Sequence, residues 1–208
     1  MTDWTQWHEQ YADPGSSLSR RLRIVQDRLR EWLDATAPRP VRALSLCAGD
    51  GRDLLGVLAD RGDRSRVTAV LVELDPGLAT GARALAAASE LTVEVRQGDA
   101  GSPELYADVA PADLLLLAGV FGNISDDDVH RTISALPLLC APGARVIWTR
   151  HQRPPDLTPQ VRSWFAEHGF AERSFTAPQG DRFSVGVHAF AGGPVSRTLP
   201  ERLFSFVR

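Results

Sequence analysis

From Val41 to Thr149, short apolar runs alternate with segments of helical periodicity, and few folds accept that order. The runs span residues 41–46, 67–72, 91–95, 113–117 and 144–149. The fourth is apolar throughout after Asp113, as a strand covered on both faces must be, and in the third Leu91, Val93 and Val95 alternate with polar residues. The segments between them carry helix signals. Leu54, Leu55 and Leu58 share one side of residues 52–58, and Asp75-Pro76 is an N-cap with proline at the first helical position, opening an alanine-rich stretch to Ala88. Ser125 and Asp128 have capping-box spacing for a helix to Leu139, and Thr158-Pro159 caps another that stops at Gly169. Ahead of the alternation, Leu18, Leu22, Val25, Leu29 and Trp32 recur on one face of a helix over 17–33. After it, residues 172–176 and 183–190 flank a Pro-Gln-Gly-Asp turn and form an antiparallel hairpin.

Five strand–helix units and a hairpin make a doubly wound, Rossmann-like α/β fold. Its seven-stranded sheet is mostly parallel with a C-terminal antiparallel hairpin. The expected organisation is one domain over 1–208, with 1–40 as an N-terminal helical lid and 41–208 as the core. An open sheet of this kind binds its ligand beyond the carboxyl ends of its strands, where strand order reverses. The residues at those ends therefore carry the functional signal. After the first run stands Cys47-Ala48-Gly49-Asp50-Gly51, small enough for close backbone approach and followed by free helix N–H groups. After the second stands Glu73, 22 positions beyond Gly51 and able to accept both hydroxyls of a ribose. After the third stands Gly98-Asp99-Ala100, placed to meet an adenine amino group. Each alone is a weak signal; their order at three successive strand ends is a strong one.

In that order they resemble class I S-adenosylmethionine-dependent methyltransferases. Residues 43–51 are similar to that family's first motif, Val72-Glu73-Leu74-Asp75-Pro76 to its second and Gly98-Asp99-Ala100 to its third. Residues 139–144 resemble the turn into its fifth strand. The family usually has an acid where Ser45 stands and a glycine where Cys47 stands. The resemblance implies that Cys47, Ala48, Gly49, Gly51, Glu73, Leu74, Asp99, Ala100 and Gly119 bind S-adenosyl-L-methionine. Tyr11, in an N-terminus crowded by Trp4, Trp7 and His8, would lie near the cofactor's carboxylate or pack on the first helix. A dinucleotide would need a small residue where Leu54 stands, which disfavours NAD.

The acceptor is expected near the ends of the fourth and fifth strands. Asn123 and Phe121 could face it, or could be a turn residue and a core residue. His151, just past the fifth strand, is the candidate general base, with His8 a lesser rival and His188 read as structural. Asp126-Asp127-Asp128 suits a helix N-terminus better than a metal, so no metal is expected. The family's Asn/Asp-Pro-Pro-aromatic motif for amino groups is absent.

Composition narrows the chemistry. All 23 basic residues are arginine, which removes Schiff-base, pyridoxal-phosphate and P-loop mechanisms. The two cysteines, Cys47 and Cys140, make neither a disulfide framework nor a zinc site. A net charge of −3 with no basic run gives no footprint for nucleic acid or membrane. The N-terminus has no signal-peptide pattern, so the cytoplasm is the expected location. The expected activity is methyl transfer to a small-molecule acceptor by a monomer or homodimer. The alternative is a protein that binds the cofactor without transferring methyl.

Overall fold

The computed structural model describes residues 10–193 and 198–207. Seven strands form one sheet: β1 (Val41–Leu46), β2 (Val67–Glu73), β3 (Val93–Gln97), β4 (Ala112–Leu117), β5 (Cys140–His151), β6 (Phe170–Thr176) and β7 (Phe183–Phe190). Their order is β3-β2-β1-β4-β5-β7-β6. β1 to β5 pair in parallel, and β7 is antiparallel to both β5 and β6. The direction of travel across the sheet reverses between β1 and β4, so the crevice above those two strands is the ligand position.

Among the described residues five α-helices flank the sheet: α1 (Ser17–Thr36), α2 (Leu54–Ala59), α3 (Pro76–Ala88), α4 (Asp126–Ala135) and α5 (Thr158–Glu167). Alternate residues of each strand feed opposite faces. Val41 and Ala43 of β1 with Leu114 and Leu116 of β4 meet α1, α2 and α3. Leu44 and Leu46 with Leu115 and Leu117 meet α4 and α5 on the other face. That double covering is why β1 and β4 lack regular polar alternation. None of the helices is long and apolar enough to cross a membrane, among the described residues.

The helix over 17–36 belongs to the core. It buries Val25, Leu29, Trp32 and Leu33 in the same cluster as β1 and α2. Arg20 on α1 also pairs with Asp181 in the β6–β7 turn, with Nε 2.9 Å from Oδ2.

Four local expectations are corrected. The unit between β3 and β4 has no α-helix; the chain makes two 3-10 turns there, Pro103–Leu105 and Ala107–Val109. β3 is correspondingly only half-buried. β5 starts at Cys140, before Pro142-Gly143, and its register against β4 jumps between the Ala112–Cys140 and Leu114–Arg145 pairs. Gly143, with φ +81°, accommodates the irregularity. Thr158 is the first residue of α5 and does not cap it; Asp156 Oδ1 accepts Thr158 N at 3.0 Å instead. At α4, Ser125 Oγ accepts Asp128 N at 3.1 Å as the capping spacing requires. The Asp128 carboxylate does not return to Ser125; its Oδ2 accepts Ser205 N at 3.0 Å.

Candidate functional site

A cleft of about 830 Å³ opens over the carboxyl ends of β1 to β4. The turn after β1 forms its floor. Cys47 has φ 55°, Gly49 φ 60° and Gly51 φ 75°, so this segment turns through left-handed backbone. Cys47 adopts a conformation that costs a non-glycine residue roughly 1–2 kcal/mol. Its thiol is pushed well up, first by burial and then by Glu73 and Asp99. It is therefore a neutral wall group and not a nucleophile. Cys47, Ala48 and Gly49 line the cleft. Gly51 does not: a Cβ there would stand 2.7 Å from Leu55 Cδ1 and 2.8 Å from Leu71 Cδ2, so its role is close packing of the turn on the sheet.

Glu73, at the end of β2, is 8% exposed and faces the cleft. Its Oε2 accepts Gly49 N at 2.7 Å and its Oε1 accepts Asp75 N at 2.9 Å. One carboxylate thus ties the β1 turn to the β2 turn. Burial raises its pKa, against those two N–H groups that lower it. Leu74 beside it is 65% exposed, a large apolar side chain left open on the wall. Asp75 caps α3, accepting Gly77 N at 2.8 Å and Leu78 N at 2.9 Å.

After β3, Asp99 Oδ1 accepts Gly101 N at 2.9 Å, and Asp99 and Ala100 both line the cleft. After β4, Gly119 has φ +79° and open space where a Cβ would be. Its N–H donates to Thr149 Oγ1 at 2.8 Å, and its carbonyl accepts Asn123 Nδ2 at 2.7 Å. Asn123 stands on the wall. Phe121 is in the core, its ring 5.8 Å from that of Trp148.

Tyr11 lies on a 3-10 turn, Gln10–Ala12, and reaches the cleft with Arg21 and Leu22 of α1. The Arg52 guanidinium sits 4.1 Å from the Tyr11 ring centre, and Arg52 Nε also bonds Asp50 Oδ1 at 2.8 Å. Trp4, Trp7 and His8 lie outside the described residues.

The structure does not bring His151 to this cleft. It faces Gly122, whose Cβ would lie 3.2 Å from His151 Cδ2, and its Nδ1 accepts Arg153 N at 3.3 Å. His188 is buried, and its Nδ1 accepts Trp148 Nε1 at 3.1 Å. Burial pulls its pKa down to about 4, so it is a neutral core group near pH 7. Among the described residues no group of three His, Cys, Asp or Glu side chains is placed to hold a metal. Asp126 pairs with Arg150, Nη2 to Oδ1 at 3.0 Å.

Sequence reasoning missed Arg21, Asp53 and the C-terminal Arg202, Ser205 and Phe206, all on the cleft wall. Asp53 accepts Leu54 N at 2.7 Å; burial, with Asp50 adding, raises it from 3.8 to about 6. Its position two residues beyond the Gly-rich turn was a usable signal. The alternation Phe204-Ser205-Phe206-Val207 after Pro200 was another, since a free tail has little reason to carry it.

No family model and no curated protein matches the chain by sequence. Solved structures match it by fold. An RNA methyltransferase from Salinibacter ruber, in complex with S-adenosyl-L-homocysteine, is 22% identical with a TM-score of 0.54, over 86% of this chain and 95% of that one. A TehB-like SAM-dependent methyltransferase from Corynebacterium glutamicum is 20% identical with a TM-score of 0.56, over 85% and 98%. An O-methyltransferase family protein from Burkholderia thailandensis has a TM-score of 0.63 at 16% identity, and the match covers 84% of this chain but 56% of that one. The chain thus has the class I methyltransferase fold, with the seven-stranded sheet and terminal antiparallel hairpin expected of it.

Proposed function

We propose that this chain is an S-adenosylmethionine-dependent methyltransferase acting on a small-molecule acceptor. The observation that carries the reading is the cleft at the strand-order reversal, with Glu73 at the end of β2 and Asp99 after β3 both facing into it. Such a wall suits a ligand with hydroxyl and amino donors and a flat apolar ring. Glu73 would take the ribose hydroxyls, Asp99 the base amino group, and the exposed Leu74 one face of the base. Tyr11 and Arg21 suit a ligand carboxylate, and the open space at Gly119 admits close approach of the ligand. A dinucleotide fits less well, because five carboxylates (Asp50, Asp53, Glu73, Asp75 and Asp99) line the cleft against three arginines (Arg21, Arg52 and Arg202), two of them paired with Asp50 and Asp99, and that acidic balance disfavours a pyrophosphate. The same acidic balance of the wall argues against a nucleic-acid acceptor.

When bound, S-adenosylmethionine supplies a methyl group already activated on a sulfonium. The chain's own task is then to hold the acceptor in line and exclude water. Asn123 is the wall residue suited to orienting it.

Calorimetry with S-adenosylhomocysteine and with NAD tests the reading, followed by labelled methyl incorporation into the small-molecule and RNA fractions of a lysate. Binding of the first compound alone and label in small molecules are expected. NAD binding without S-adenosylhomocysteine binding sinks the proposal, and label confined to RNA sinks its acceptor class. A second reading, binding without methyl transfer, is favoured by one observation: among the described residues no histidine lines the cleft. Tight binding with no label in any fraction is its signature.

A further inference from the structure

After β7 the chain returns to the ligand cleft. Leu203 and Phe204 are fully buried in the core cluster that holds α4 and β4, which anchors the segment on the body. Its backbone then bonds the loops that frame the cleft. Leu203 N donates to Gly101 O at 2.8 Å, beyond β3. Ser205 N donates to Asp128 Oδ2 at 3.0 Å, at the start of α4. Val207 N donates to Asn123 O at 3.0 Å, and Phe206 forms an antiparallel bridge with Ile124, beyond β4. The path is tight at one point. A Cβ on Gly101 would stand 2.2 Å from the Phe204 carbonyl oxygen, so only glycine lets the segment pass.

Three side chains of this segment, Arg202, Ser205 and Phe206, face the cleft. Arg202 Nη1 lies 2.7 Å from Asp99 Oδ2, so the carboxylate is held on one oxygen by Gly101 N and on the other by Arg202. Phe206 is 36% exposed although its ring meets that of the buried Phe204 edge-on at 5.9 Å. The exposed large apolar side chains among the described residues are Leu74, Phe206 and Val207, and the first two stand on this one wall. Exposed apolar surface gathered in a concave site marks a place that a ligand covers.

We propose that residues 199–207 are a built-in wall of the cleft whose Arg202 and Phe206 grip the ligand, so that ligand binding and docking of this segment stabilise each other. The inference rests on reading the cleft as a site for S-adenosylmethionine, and S-adenosylhomocysteine is the probe. Coupling between two sites is reciprocal. Ligand must therefore tighten the segment, and loosening the segment must weaken the ligand.

Hydrogen exchange followed by mass spectrometry, with and without the probe, reads the first arm. Amides of residues 199–207 should exchange at least about tenfold more slowly with the probe bound. Calorimetry reads the second. Phe206→Ala, which removes a ring that is 36% exposed together with its edge-on contact to Phe204, should weaken binding about fivefold while exchange in β1 to β5 stays unaltered. Gly101→Ala should free the segment and weaken binding at least about tenfold; should that variant not fold, Phe206→Ala decides. Two results overturn the inference alone: wild-type protein that binds the probe with no change of exchange in 199–207, or Phe206→Ala binding it at full strength. Wild-type protein that binds no probe at all overturns both this inference and the reading beneath it.

Discussion

Glu73 does two tasks that a substitution can separate. It stitches the turn after β1 to the turn after β2 through Gly49 N and Asp75 N, and it presents a buried carboxylate to the cleft. Glu73→Ala removes the charged acceptor for two ligand hydroxyls, a loss of roughly 1.5–3 kcal/mol. S-adenosylhomocysteine should then bind at least about tenfold more weakly. Glu73→Gln keeps the side chain's length and one carbonyl acceptor, so it should lose less. Calorimetry on both variants, with a denaturation curve to confirm folding, makes the comparison. Unchanged affinity in Glu73→Ala would move the ribose contact to another wall residue, Asp75 first. Cys47 shows the same scale from the other side. Its left-handed φ was invisible in the sequence, which only showed a cysteine where the resembled family has glycine.

At the scale of elements, β5 and β7 meet through a contact that only one residue permits. Gly186 of β7 lies against the indole of Trp148, and a Cβ there would be 2.2 Å from Trp148 Cε2. The indole has nowhere to retreat: it is fully buried, stacked on Phe165 at 5.9 Å and on His188 at 6.1 Å. Gly186→Ala should therefore cost about 3 kcal/mol, the upper part of the range for overpacking a dense core. Gly143→Ala is the control. It has a positive φ but open space around its Cβ, so it should cost roughly 1–2 kcal/mol. Urea denaturation measures both. Equal losses would mean that the Trp148 contact relaxes and that backbone conformation dominates. The hairpin was legible as two runs and a turn, yet nothing in the Ser-Val-Gly-Val stretch told that an indole covers Gly186.

Over the whole molecule, two buried groups set opposite slopes of stability against pH. Asp53 is raised from 3.8 to about 6, so between those values the folded chain holds a proton that the unfolded chain has released, and stability falls as pH rises. His188 is lowered from 6.5 to about 4, so the unfolded chain takes up a proton that the folded chain refuses, and stability falls as pH drops through that range. Each shift corresponds to about 3 kcal/mol when fully expressed. Between pH 4 and 6 they oppose each other and flatten the profile. The raised Glu73 acts in the same direction as Asp53. Asp53→Asn keeps a capping side chain and removes one slope. Relative to the parent, the variant should gain about 3 kcal/mol between pH 4 and 7, with little difference at the acid end. A constant difference across that range would show that Asp53 titrates normally. The arginine-paired carboxylates, Asp63 foremost, hold their pKa values down and lose their contribution only at still lower pH.

What the sequence determined by itself is what local pattern can encode. The continuous apolar run 114–117 implies a strand buried on both faces, and Asp75-Pro76 opens α3 because a cap and a fixed φ act within one turn of chain. The strand-end residues followed, since β1 ends where its run ends and β2 and β3 end one and two residues beyond theirs; this put Gly49, Glu73 and Asp99 at one crevice from the sequence alone. Tertiary structure decided whatever depends on partners far along the chain. Its place just past the sequence's fifth run points His151 at the acceptor, but the lengthened β5 and its pairing with Phe183 carry it toward Gly122. Asp53 became a raised acid chiefly through desolvation by its surroundings, which no neighbour in sequence reports; Asp50, three positions away, only adds to it. No α-helix follows β3, and it is Leu203, about a hundred positions later, that bonds Gly101 there, with the Phe204 carbonyl passing so close that only glycine fits. Burial, charge pairing and close approach are properties of three-dimensional neighbours, and the sequence orders only neighbours along the chain.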